Sequence, residues 1–232
     1  MVLWSPPPII THDSEKKYRS HLSPVTPVPL SFLDDQASVD LSVVIPAYNE
    51  TARLPSMLAS TIDHLASTAS NGRTYEIIIV DDGSTDNTAF EALEIAHKYP
   101  TSDIKVVVLE ENLGKGGAVR HGMLFASGSR LLMVDADGAS RFEDLELLWK
   151  AIDELAPTNE PAVAVGSRAH LVKTEAVVKV CGFLFGNARV LFLTIHSLLF
   201  SAIVNTQRSH VRTAHDFTIS RCGSHQRHAM WV

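Results

Sequence analysis

Cysteine is almost missing from this sequence: there are two, Cys181 and Cys222, both late in the chain. Two distant cysteines build no disulfide framework, so nothing here calls for an oxidising compartment. An excess of positive charge is missing too, since 20 Lys and Arg face 26 Asp and Glu for a net charge of −6. That balance excludes a general nucleic-acid-binding surface, and no nucleic-acid partner is expected. The start lacks the basic, unbroken apolar character of a signal peptide, because Pro6, Pro7 and Pro8 interrupt it. No uninterrupted apolar run reaches the roughly 20 residues that a membrane span needs. The nearest, Val180 to Val204, carries Asn187, Arg189 and His196, which are costly at bilayer depth. It reads as an apolar helix lying at a membrane interface or against a partner. The Walker A loop and the Rossmann glycine fingerprint are both absent.

What is there is a repeated pattern of apolar runs that stop at acids. Residues Arg130 to Val134 run apolar into Asp135-Ala136-Asp137-Gly138. Such a run reads as a buried strand, and its acids fall where the strand leaves the core. Two carboxylates separated by one small residue suit a hard cation, and Mg²⁺ combines one or two carboxylates with substrate phosphates. The same tripeptide also suits a solvated turn. Tyr75 to Val80 likewise runs into Asp81-Asp82-Gly83-Ser84, and Leu41 to Pro46 into Ala47-Tyr48-Asn49-Glu50.

Between these strands lie helical patterns. One spans about Thr51 to Ala69, with Leu54, Leu58, Ile62 and Leu65 as its core stripe and Pro55 in its first turn. A second spans roughly Asp86 to Lys98, with Ser84 or Thr85 placed to cap it. A strand from Ile104 to Leu109 leads to the glycine-rich Glu111 to Ala118, which feeds a helix ending near Gly128. Ser140-Arg141-Phe142-Glu143 has the form of a capping box opening a helix to about Leu155, and Ala162 to Arg168 reads as the fifth strand.

Strands alternating with helices from Leu41 to Arg168 predict an α/β fold, a mostly parallel sheet covered by helices on both faces. Glu50, Asp82, Lys115, Asp137 and Arg168 then share one rim at the carboxyl ends of the strands. That rim suits a nucleotide diphosphate held with a metal. Asp82 can accept from a base N–H, Tyr48 offers a face for stacking, and Lys115 or Arg168 adds positive charge near a departing diphosphate. Each also has a plainer reading: a half-buried loop aromatic, a solvated lysine, a surface ion pair.

Five ordered motifs carry a resemblance. They are Val43 to Glu50, Val80 to Asp86, Asn112 to Ala118, Asp135 to Gly138 and Gly166-Ser167-Arg168-Ala169-His170. Over about Leu41 to Lys179 the sequence resembles the inverting GT-A-fold glycosyltransferases that use nucleotide sugars. Within them it is most similar to the dolichyl-phosphate β-glucosyltransferases, through Asp-Ala-Asp-Gly-Ala and Gly-Ser-Arg-Ala-His. The resemblance implies a GT-A (Rossmann-like) fold and glucose transfer from UDP-glucose to dolichyl phosphate for protein N-glycosylation. It implies Mg²⁺ or Mn²⁺ as cofactor, and the cytosolic face of the endoplasmic reticulum membrane as the place of work. By the same resemblance Pro46, Ala47, Tyr48 and Glu50 line the nucleotide pocket and Asp82 faces uracil. Lys115 and Gly116 lie near the donor, and Asp135 and Asp137 are the metal and diphosphate acids, with Asp137 the more direct ligand. Catalysis is assigned to Asp135, Asp137 and Arg168.

The resemblance stops at about Lys179. Beyond it the family's Asp-Thr-Gln-x-Gly-Phe-Lys segment has only a faint echo in Asn205-Thr206-Gln207, and the family's N-terminal membrane helix has no counterpart. The expected organisation is a flexible proline-rich leader at 1–40, the GT-A domain at 41–179, the apolar helix at 180–204 and a disordered tail at 205–232. A shortened or alternatively spliced product is expected from that change of character. Cys222, His225 and His228 fall short of the four ligands of a structural zinc site. Two other functions remain open: a nucleotide-sugar-binding remnant without transferase activity, and a polyprenyl-phosphate mannosyltransferase using GDP-mannose.

Overall fold

The computed structural model describes residues 10–32, 35–69, 72–155, 162–165, 178–185, 188–195 and 202–205. Its centre is four parallel strands: β3 (Val39–Ala47), β4 (Tyr75–Asp81), β5 (Ile104–Val108) and β6 (Gly128–Met133). They lie side by side in the order β5-β4-β3-β6, with β3 hydrogen-bonded in register to both β4 and β6. The chain therefore builds outward from β3 in one direction, then returns to add β6 on its other side. That reversal leaves a crevice above the carboxyl ends of β3 and β6.

The near-continuous apolar runs of these strands follow from burial on both faces. Val43, Ile45, Ile77, Ile79, Leu132 and Val134 pack into one core with α1 (Leu54–Ala69), α2 (Thr88–Lys98) and α4 (Leu145–Leu155). The alternate residues Val44, Ile78, Val80, Val107 and Leu131 face the opposite side, where α3 (Gly114–Leu124) and Leu30 cover them. The expected stripe of α1 is all buried: Leu54, Leu58, Ile62 and Leu65. Each such side chain contributes about 1.5–3 kcal/mol relative to exposure. Gly122 lets α3 sit close on the sheet, since a Cβ there would come within 2.4 Å of Val44 Cγ1.

Several expectations are corrected. The leader folds: β1 (Lys17–Ser20) and β2 (Ser23–Pro29) form an antiparallel hairpin, and Arg19 of β1 pairs with Val106 of β5. Pro24, Pro27 and Pro29 suit a proline-rich leader, but β2 is an edge strand, where a missing N–H is tolerated. The stretch expected to be an apolar helix contains strands instead, β8 (Val178–Phe185) paired with β9 (Ala188–Ile195). Its valines, isoleucine and phenylalanines favour the pleated state, and Gly182 disfavours a helix. The fifth strand is described over its first four residues. It is β7 (Ala162–Val165), separated from β6 by β10 (Ala202–Asn205), which runs antiparallel to both. The sheet is therefore mixed at this edge, and Asn205 lies in a strand rather than in the expected tail.

The helix starts also differ from expectation. Neither Ser84 nor Thr85 caps α2; Asp86 Oδ1 accepts the Thr88 N–H at 3.0 Å and does that work. The Ser140–Glu143 capping box does not form. A short 3₁₀ turn, Phe142–Asp144, follows Arg141 without a side-chain cap. Phe142 is drawn into the core, edge-on to His64 at 5.4 Å. Among the described residues no helix is long and apolar enough to cross a membrane. Arg168, the Gly166–His170 motif, residues 206–232 and the Cys222, His225 and His228 group lie outside the described residues.

Candidate functional site

The crevice holds a cleft of about 450 Å³. Pro46, Ala47, Tyr48 and Glu50 reach it from the end of β3, and Asp82 from the end of β4. Lys115 reaches it from the first turn of α3, and Asp135 and Asp137 from the end of β6. Every described residue singled out from the sequence lines it except Gly116, which sits in the same first turn of α3. Four further residues line it: Asn112, Gly114, Ala118 and Ala136. Asn112 and Gly114 belong to the glycine-rich stretch, which was the available signal. The alanines give none by residue type.

The β3 loop is held by a clasp. Asn49 has φ +55°, the single positive φ at a non-glycine among the described residues. Asn tolerates that conformation because its side chain bonds locally. Its Oδ1 accepts the Thr85 N–H at 2.9 Å, and its own N–H donates to Ser84 Oγ at 2.9 Å. The Glu50 N–H donates to Thr88 Oγ1 at 2.8 Å. Loops after β3 and β4 are thus tied together, with Tyr48 and Glu50 turned to the cleft on either side of the strained residue. Gly83, at φ +68°, lets the β4 loop press on the glycine-rich loop, since a Cβ there would stand 3.1 Å from the Asn112 N.

The electrostatics follow from burial. Burial raises the pKa of Asp81, opposed by hydrogen bonds from Ser84. Burial likewise raises that of Asp82, opposed by the N–H groups of Leu113 and Gly114; the Leu113 N–H donates to Asp82 Oδ1 at 2.7 Å. At Asp86 burial also disfavours the charge, but hydrogen bonds from Thr51 and Thr88 outweigh it and hold the carboxyl at about 2. Lys115 Nζ lies 2.6 Å from Asp135 Oδ1, with the lysine side chain 56% exposed and the aspartate 8%. Among the described residues the buried Asp135 Oδ2 has no hydrogen-bond partner, and neither has Glu50 Oε2, although Glu50 Oε1 pairs with Arg53 at 2.6 Å. Asp137 is half-buried, and its Oδ1 accepts the Ala139 N–H at 3.0 Å.

An unsatisfied buried carboxylate oxygen costs free energy unless something binds it. Among the described residues no group of three or more His, Cys, Asp or Glu is placed to hold a metal by itself. Two carboxylates with oxygen to spare therefore fit a cation that takes its remaining ligands from a substrate, as Mg²⁺ and Mn²⁺ do with phosphates.

Residues 42–172 match the family described as Glycosyl transferase family 2. The chain belongs to glycosyl transferase family 2. The family's region contains β4, β5 and β6, most of β3 and the whole cleft. The chain is 44% identical over 176 residues to a dolichyl-phosphate beta-glucosyltransferase of Drosophila melanogaster, which covers 74% of this chain and 54% of the relative. It is 47% identical over 154 residues to the enzyme of that name from Saccharomyces cerevisiae, covering 62% and 46%. The chain thus spans about half the length of the curated relatives it matches. Among solved structures, the chain is similar to a mannosyltransferase from Pyrobaculum calidifontis in complex with GDP-Man and Mn²⁺. Its TM-score is 0.43 at 23% identity, over 54% of this chain and 34% of that one.

Proposed function

We propose that this family 2 chain binds UDP-glucose with Mg²⁺ or Mn²⁺ and transfers glucose to dolichyl phosphate, giving dolichyl β-D-glucosyl phosphate for protein N-glycosylation. The observation that carries the reading is the buried Oδ2 of Asp135, unpartnered among the described residues, in a cleft shared with Asp137, Lys115 and Asp82. The relatives' shared name supplies the acceptor and the sugar.

Each residue has a task in this reading. Asp82 accepts from the N–H of uracil, and Tyr48, 46% exposed, stacks on the base. Pro46, Ala47 and Glu50 wall the nucleoside side. Asp135 and Asp137 hold the cation, which supplies Lewis-acid stabilisation of charge on the departing diphosphate. Lys115 and the backbone of the glycine-rich loop, including Gly116, face the diphosphate at the start of α3, where a helix favours anions. Arg168 adds positive charge on the leaving-group side. An acceptor phosphate oxygen attacks the anomeric carbon from the face opposite the diphosphate. The new C–O bond forms as the bond to UDP breaks, and the anomeric centre inverts. A phosphate is already anionic near neutral pH, so no strong base is required. Since the acceptor is a lipid, the work takes place at a membrane surface, here assigned to the cytosolic face of the endoplasmic reticulum.

Calorimetry with UDP, with and without Mn²⁺, tests the donor half. Metal-dependent binding is expected, and its absence in folded protein overturns the reading. Labelled UDP-glucose or GDP-mannose with dolichyl phosphate tests the rest. Transfer from UDP-glucose is expected. Transfer only from GDP-mannose replaces the sugar assignment, and donor binding without transfer leaves a binding module.

A further inference from the structure

The segment ahead of the family region packs against Glu110 and His121, and one buried acid anchors it. Glu15 is 1% exposed. Its Oε1 accepts the Glu110 N–H at 2.9 Å, and its Oε2 accepts the His12 N–H at 2.7 Å. Its backbone carbonyl is bonded to His121 Nε2 at 2.8 Å. A carbonyl only accepts, so Nε2 carries the proton and donates. His121 is itself buried, its ring 4.8 Å from that of Phe125, and burial pushes its pKa below the ordinary value. Ser14 Oγ also bonds to the Glu110 carboxylate, and His12 Nδ1 lies 3.5 Å from it.

Residues 110 and 121 bracket a defined piece of the cleft. Between them lie Asn112, Gly114, Lys115 and Ala118, all lining it. A segment needed only to cover the sheet would place an apolar side chain at position 15, as Leu30 does a little further on. A buried carboxylate is costly, and directed hydrogen bonds are what offset that cost. Here one of those bonds goes to the residue ahead of the glycine-rich loop and the other ties back to His12, while the same residue's carbonyl takes the last turn of α3.

We propose that Glu15 is a positioning residue for the diphosphate side of the cleft, clamping residues 110–121 so that the glycine-rich loop and Lys115 meet the diphosphate of the nucleotide sugar. The role rests on the nucleotide-sugar reading above. Glu15 touches no substrate.

Amide hydrogen exchange on the free protein tests the clamp without any ligand. In Glu15→Ala the amides of residues 111–121 exchange about tenfold faster or more, while those of β3 and β4 keep their wild-type rates. UDP with Mn²⁺ binds the variant on the order of tenfold more weakly, and uridine, which lacks the diphosphate, loses less than about twofold. Glu15→Gln keeps an oxygen that accepts the Glu110 N–H and restores most of both. His121→Phe keeps a ring against Phe125 but removes the bond to the Glu15 carbonyl. It gives the same pattern, and it decides the matter if Glu15→Ala does not fold. Wild-type exchange across 111–121 in a folded variant overturns the clamp. Equal losses for UDP and uridine, or none for UDP, overturn the positioning role alone. If the wild-type protein binds no UDP, the function proposed above fails and the positioning role fails with it.

Discussion

Two buried acids at opposite ends of the same sheet behave differently. Glu76, the second residue of β4, is 0% exposed at the amino-terminal end. Its Oε1 accepts from Ser42 Oγ and from the Ser127 N–H, and its Oε2 pairs with Lys105, which is 13% exposed. Asp135, just past the carboxyl end of β6, is nearly as buried but keeps one oxygen without a partner among the described residues. The first is a charge fully used by the fold. The second is a charge the fold has left available. Between these two acids burial does not distinguish scaffold from site, whereas the count of satisfied oxygens does.

The comparison breaks if the two acids respond alike to substitution. The largest effect is expected at Glu76. Glu76→Ala leaves the buried Lys105 with only the looser pair to Asp103 at 3.4 Å and strips acceptors from Ser42 and Ser127, costing about 3–5 kcal/mol in urea unfolding. UDP affinity of the folded fraction stays at the wild-type value. Asp135→Asn is expected to do the reverse. Mn²⁺-dependent UDP affinity drops on the order of a hundredfold, the upper end of what altered metal surroundings cost. Stability moves by less than about 1 kcal/mol, because Lys115 is largely exposed and loses only a screened pair. A stability loss at Asp135 equal to that at Glu76 would erase the distinction.

Asn49 offers a finer test within the carboxyl end. Asn49→Gly keeps the positive φ and loses the clasp to Thr85, whereas Asn49→Ala loses both. Calorimetry should find UDP weakened by roughly threefold in the first, and thermal melts should show the second less stable by about a further 1 kcal/mol. The smallest effect concerns Asp86, an acid at the carboxyl end whose oxygens are all in use: Oδ1 by Thr88 and Oδ2 by the Thr51 N–H. Its carboxyl is held at about 2, below the ordinary 3.8. Its contribution to stability is therefore complete above the ordinary value and disappears as pH falls toward 2. Asp86→Asn should flatten that acid limb of the stability curve and leave UDP affinity alone, which shows that satisfaction rather than location is what matters.

The sequence made the site more legible than its support. Acids and glycines at the ends of apolar runs needed only the rule that ligands gather at the carboxyl ends of parallel strands, and the cleft joins Tyr48, Glu50, Asp82, Lys115, Asp135 and Asp137. The α1 stripe was equally plain, because its period is local. What escaped local reading depends on partners far away in the chain. Prolines at 24, 27 and 29 look like linker until β1 is seen paired with β5 some ninety positions on. Glu15 looks like one of several solvated charges until Glu110 and His121 are brought to it. β10 enters between β6 and β7 against the parallel expectation, and no local periodicity announces the direction of a short strand. The unformed capping box shows the converse, a good local signal overridden when Phe142 found room in the core.

The outermost strand carries one last consequence. Three of the seven residues of β2 are prolines. A neighbouring molecule that approached this border would find too few amide hydrogens to continue the ladder. The sheet thus comes to a full stop here, and copies crowded together on one surface have no ready way to polymerise through it.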